Sequence, residues 1–239
     1  MTNKLARTEG SGVQRTPPAS TRLDARLREI ASPEPLLLSA SRFADLPSWW
    51  RACASPDWLV WMAARLCKTG DDRRAVVRCV TELAWRAGPR PDRRCVAAIS
   101  AAEAWASGSE AGAGLAAAVA GAWQAAAEAK ADSARLAACA RWRFASAPHH
   151  RLASAGTGRA LAAHADWRAA ERNRLAALAA AATVEAAWRA DTASDLPDEW
   201  AAWASYAVTA ISSPPACGTR ARARYARCVR RRLACPVID

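Results

Sequence analysis

Apolar residues return along this chain at intervals of three and four, and Pro, Gly and Ser/Thr/Asp clusters break that rhythm into a succession of helices. The clearest stretch is 90–108. There Cys95, Ile99, Ala102 and Ala106 fall on one stripe flanked by Val96 and Trp105. Pro91 and Asp92 suit a first turn, where a missing N–H costs little and an acid meets the positive end of the dipole. Gly108 supplies the stop.

The same reading runs through the rest. Residues 1–19 show no periodicity and predict a disordered tail. Thr21 to Ile30 predicts a short charged helix ended by Pro33 and Pro35, and 36–54 predicts short helical turns around Trp49-Trp50. Ser55-Pro56-Asp57 opens a helix that is apolar on nearly every face through Cys67, the mark of a central element. Gly70 should end it and Asp71 cap the next, whose stripe is Val76, Cys79, Val80, Leu83, Ala84 and Ala87. An Ala-rich segment follows from Ser109 to about Lys130 and continues to Ser146, with room for a break near Asp132-Ser133. Gly156-Thr157-Gly158 predicts a turn, and Arg159 to about Ala190 one long or two stacked helices. A helix from Leu196 carries Trp200, Trp203, Ala204, Ala207 and Ile211, and Thr219 caps a last helix, 220–234.

No stretch alternates with period two over the length of a strand, so the fold class is all-α: a single-domain antiparallel helical bundle or an irregular array of helical hairpins. No linker divides the middle of the 239 residues, so 20–239 is expected to form one domain. Alanine makes up about a quarter of the chain, with only two Phe, two Tyr and two Met, while Trp reaches twelve. Ala lets helices approach closely, and the indoles must supply the missing bulk. Trp58, Trp61, Trp85, Ile99 and Trp105 are the expected core.

The run Arg90-Pro91, then Ala98-Ile99, then Ala104-Trp105 and Gly108, leading into a long Ala-rich helix, resembles a family of immunity proteins from bacterial polymorphic toxin systems. The resemblance spans roughly 55–190. It implies an all-helical protein without enzymatic activity that neutralises a toxin made by the same cell.

Candidate chemistry is sparse. His149, His150 and His164 stand at no metal-ligand spacing, and Gly112-Ala113-Gly114 lacks the preceding strand of a phosphate loop. The eight Cys include no Cys-x-x-Cys and read as small buried hydrophobes of a reducing cytoplasm. Asp71-Asp72 and Asp198-Glu199 sit where helix starts want acids. No enzyme, cofactor or metal is expected, and no membrane segment.

The net charge of +12 changes the picture more, because seven Arg between 220 and 232 face no acid in the sequence. Arg220, Arg224, Arg227 and Arg231 recur at i, i+4, i+7 and i+11, opposite Ala221, Tyr225, Cys228, Val229 and Leu233. That ridge is the candidate partner-binding surface. It suits a protein, a cognate toxin with an acidic or neutral contact face. The alternatives are a nucleic-acid-associated protein, or a helical scaffold or adaptor in a bacterial conflict system.

Overall fold

The computed structural model describes residues 19–30, 32–86, 92–109, 112–145, 155–192, 197–213 and 218–237. The disordered tail expected for 1–19 lies almost wholly outside them, as do Pro91, His149 and His150. Among the described residues there are ten α-helices and no strand, so the fold is all-α. The chain divides into two compact units, one ending at Trp49 and the other beginning at Trp50.

The first unit holds α1 (Ala19–Glu29), packed against α2 (Glu34–Ala40), and the start of α3 (Leu46–Ala52). Leu23, Leu27, Leu36, Leu37 and Ala40 are buried, and the Trp49 indole donates to Ser39 Oγ at 3.2 Å. Helix α1 ends at Glu29, ahead of Pro33 and Pro35, and both prolines also open the next helix. Pro33 occupies the N-cap of α2 and Pro35 its first turn, where a fixed φ favours the helix.

The second unit contains α4 (Pro56–Arg65), α5 (Gly70–Arg86), α6 (Arg93–Ser107), α7 (Leu115–Ala145), α8 (Ala155–Thr192), α9 (Pro197–Ser212) and α10 (Thr219–Arg232). Its axis is α8, which packs against α5, α6, α7 and α9. Every residue of 179–187 is buried. Seven of those nine are small enough for neighbouring backbones to close in: Ala179 to Ala182, Thr183, Ala186 and Ala187. Thr183 satisfies its hydroxyl on the Ala179 carbonyl at 2.6 Å. Glu185, only 5% exposed, accepts from the Trp123 indole at 3.2 Å and from Arg189 Nε at 2.9 Å, so its charge is paired where it is dehydrated. The apolar α4, expected at the centre, is buried from Leu59 to Ala64 and packs mainly on α9 and α10.

Local chemistry moves several boundaries. Gly70 begins α5 and does not end α4, and Asp71 is not the cap. Thr69 Oγ1 accepts the Asp72 N–H at 3.1 Å while the Asp72 carboxylate accepts the Thr69 N–H at 2.9 Å, a reciprocal capping box. The Thr69 hydrogen bonds hold the Asp72 carboxyl below the usual carboxylate range. Asp92 is the N-cap of α6, accepting the Arg94 N–H at 2.8 Å, and Gly108 closes that helix with φ +78°. No break occurs at Asp132-Ser133, and Gly156 to Gly158 lie inside the first turns of α8. Gly218, not Thr219, holds the N-cap position of α10.

The tryptophans do not all enter the core. Trp49, Trp50, Trp61, Trp105 and Trp200 are buried, as is Ile99, while Trp58, Trp123, Trp167, Trp188 and Trp203 are half-buried. Trp85 is 41% exposed, contrary to expectation. It sits near the C-terminal end of α5, and its indole N–H reaches Glu103 at 3.2 Å. Trp142 is 68% exposed.

Trp105 illustrates how an indole is locked. Its N–H donates to Asp191 Oδ1 at 2.8 Å, and the Arg74 guanidinium lies 6.0 Å from its ring. Gly112 stands so close to Asp191 that a Cβ there would meet Oδ2 at 1.9 Å. Nearby, Arg73 donates to the Ala190 carbonyl and Arg78 to that of Ala106, satisfying the last turns of α8 and α6. Trp105→Ala should cost about 3–5 kcal/mol, as deletion of a buried aromatic does. Urea unfolding checks it, and a variant as stable as the parent would show that the indole contributes no packing.

Candidate binding surface on the last helix

Helix α10 is amphipathic in an unusual way, because arginine serves both faces. Tyr225, Ala226, Cys228 and Val229 are buried, and Leu233 just beyond the helix joins them. That apolar face packs mainly on α4, and also on α5 and α9. Three arginines then fasten its edges. Arg222 reaches Ser55 Oγ at 2.7 Å and Asp57 Oδ1 at 3.1 Å, where the Asp57 side chain is 13% exposed. Arg230 donates to the Cys53 carbonyl at 2.6 Å, between α3 and α4, and to the Trp50 carbonyl in α3 at 3.5 Å. Arg232 pairs with Glu82 of α5 at 2.7 Å.

The sequence reading that all seven arginines lack an acid is therefore corrected: Arg222 and Arg232 have acidic partners from residues far away in the chain. Ser55 in particular makes no side-chain cap for α4, and its hydroxyl accepts Arg222 instead. These tethers leave no local signal. They depend on which helix arrives opposite, which no spacing within 219–232 can reveal.

The other four arginines remain outside. Arg220, Arg224, Arg227 and Arg231 are all exposed, and none makes an ion pair or hydrogen bond among the described residues. They span about 16 Å along the helix at 1.5 Å per residue. Because the inward arginines and the apolar face fix the helix, the ridge presents its cations from a held backbone, which lowers the ordering cost of binding. No aromatic ring shares the ridge: Tyr225, the helix's one aromatic, is 7% exposed on the opposite side.

Glu82 concentrates the electrostatics behind the helix. It binds Arg232 and Arg86 together and accepts the Cys228 thiol at 3.8 Å. Burial alone would raise its carboxyl, but the Arg232 hydrogen bond and the two guanidinium charges reverse this and hold it below the usual range. Thiols are pushed the other way. Burial raises Cys53 and Cys95 to about 11, and Cys67 and Cys79 to about 12, which suppresses thiolate at neutral pH. Seven described cysteines are free; Cys53, Cys79, Cys95 and Cys228 are buried, while Cys139 is exposed on α7 against expectation. The His164 ring lies against Trp167, tilted by 58° with ring centroids 5.2 Å apart. Among the described residues no three His, Cys, Asp or Glu gather as a metal site, and no helix is long and apolar enough to cross a membrane.

No protein-family model, curated protein or solved structure matches the chain.

Two predictions follow from the anchoring. Arg222→Ala strands Asp57 without its cation and should destabilise by about 1–2 kcal/mol, reduced from the fully buried case because Arg222 is 42% exposed. Arg224→Ala should stay within about 0.5 kcal/mol of the parent, so equal melting of the two variants would refute the division into inward and outward arginines.

The second concerns pH. Asp92, held at about 2 by its Arg94 hydrogen bonds, and Glu82 both have folded values below their unfolded ones. Their contribution is complete above about pH 4.3 and is lost as pH falls through the folded values. Glu82→Gln should therefore lower the melting temperature at pH 6 and converge with the parent toward pH 3; a constant gap would assign its effect to packing.

Proposed function

We propose that this chain is a non-enzymatic protein of the immunity class, acting in the cytoplasm, which binds a cognate bacterial toxin and blocks it. The observation that carries the reading is the arginine ridge of α10: four exposed guanidinium groups in register on a helix whose three other arginines are spent on holding it in place. Rigid cations without partners among the described residues favour a rigid surface of opposite sign, and Arg is prominent among the residues that dominate protein interfaces. The resemblance of Arg90-Pro91, Ala98-Ile99, Ala104-Trp105 and Gly108 to immunity proteins supplies the class of partner. The high thiol values of Cys53, Cys67, Cys79 and Cys95 agree with a binder, since they suppress the thiolate of four of the chain's nucleophiles. The ridge fits a toxin that offers an acidic or neutral contact face.

A nucleic acid would also seek the ridge, but strands bound without base reading use stacked aromatic rings beside the cations, and α10 exposes none.

Co-expression with the toxin-like product of the adjacent gene tests the proposal. Growth should be restored and the two proteins should co-purify, and Arg224→Glu with Arg227→Glu should weaken binding by about 10- to 100-fold without lowering the melting temperature. Absence of rescue and of co-purification would overturn it. A gel shift with duplex DNA that fades steeply with salt would move the chain to the nucleic-acid class.

A further inference from the structure

Helices α7 and α8 run on together beyond the packed part of the unit. After residue 127 in α7 and before Leu175 in α8, the buried residues among those described narrow to Ser133, Ala140, Ala160 and Ala163, the seam between the two helices themselves. Ser133 Oγ donates across that seam to Glu171 at 2.6 Å, and Arg174 holds the same carboxylate. The result is a two-helix arm of roughly 25 Å at 1.5 Å per residue. A seam of Ala and Ser has no room for large side chains. Trp142 is therefore 68% exposed and Leu161 59% exposed, near an apolar cleft of about 330 Å³ between the helices, lined by Ala137, Ala140, Arg141, His164 and Trp167.

We propose that this arm is a second contact surface for an acidic protein partner, with Trp142 and Leu161 as its apolar anchors and the cleft as a socket for a partner side chain. The proposal rests on the reading that the chain binds a protein, and it adds where else that protein is held. Exposed indole and leucine on an otherwise charged arm are the kind of group that gains most when an interface closes over it.

Charge decides the occupant. Arg141, Arg143, Arg159, Arg168 and Arg172 surround the anchors, all exposed and without ion pairs among the described residues, and Asp166 is the one acid there not already paired with an arginine. A second copy would set these cations against their own kind, which like-charge contact opposes. A single-stranded nucleic acid needs successive free rings, whereas Trp167 is half-buried with the His164 ring against it and Trp142 is the exposed indole of the arm among the described residues. An acidic protein surface carrying an apolar side chain satisfies both the cations and the socket.

The probe is the purified toxin from the adjacent gene in an inactivated form. Trp142→Ser with Leu161→Ser should weaken its binding by about 100-fold, and Arg141→Glu with Arg168→Glu should slow association by about tenfold. Both variants should melt within about 2 °C of the parent, because every altered side chain is exposed or lies on the cleft rim. If the parent binds the toxin and the Trp142/Leu161 variant binds equally well, the arm contact is overturned while the immunity reading stands. Failure of the parent to bind overturns both. Sedimentation showing a dimer that the variant abolishes, or a thymidine oligonucleotide shift that it abolishes, also overturns the proposal in favour of those occupants.

Discussion

Burial of residues 179–187 of α8 is the constraint on which the rest of the second unit depends. Helix α8 packs against four other helices, and residues 179–187 are buried throughout, which is possible only where most side chains are methyl groups or little more. Alanine contributes little apolar area of its own; its value lies in letting backbones approach and in a low entropic cost of helix formation. The missing bulk is supplied by indoles of other helices, Trp61, Trp105 and Trp200 in buried positions and Trp123 and Trp203 at 5.3 Å in an edge-to-face pair nearer the surface. Indoles bring N–H groups with them, and those groups explain much of the polar network. Trp105 needs Asp191, Trp123 needs Glu185, and Glu185 in turn needs Arg189, which extends to Glu199 of α9.

Arginine plays two roles by position. Within α5 and α10 it closes helix ends and pins elements, through carbonyls of Ala190, Ala106 and Cys53 and carboxylates of Asp57 and Glu82. A planar fork with several donors suits this better than an ammonium would. Arginines not used that way collect on the outer face of α10 and on the α7–α8 arm. The net charge of +12 is thus a residue of structural use, and it is concentrated where binding is proposed.

The two proposed contacts differ in physical character. The ridge is a row of cations on a helix held from beneath, suited to steering and orientation. The arm combines apolar anchors with cations on an element whose buried residues, among those described, are Ser133, Ala140, Ala160 and Ala163, suited to the desolvated centre of an interface.

The periodic spacing of apolar residues by itself determined that the chain is all helical, roughly where most helices lie, and that Arg220, Arg224, Arg227 and Arg231 share a face, because these are properties of a single helix seen end on. The stripe of Cys95, Ile99, Ala102 and Ala106 was readable for the same reason. What faces a stripe was not. Trp85 and Trp142 carry the same local pattern as Trp105, yet only Trp105 is covered by its neighbours, while after residue 127 the buried residues described in α7 are Ser133 and Ala140 alone. Pro33 as a start, Thr69 as a cap in place of Asp71, and the continuity of α7 through Asp132 each turned on a choice between two local conformations of similar cost, settled by capping and packing. The tethers of Arg222, Arg230 and Arg232 join residues more than a hundred positions apart, and only the tertiary arrangement brings those atoms within a hydrogen bond of each other.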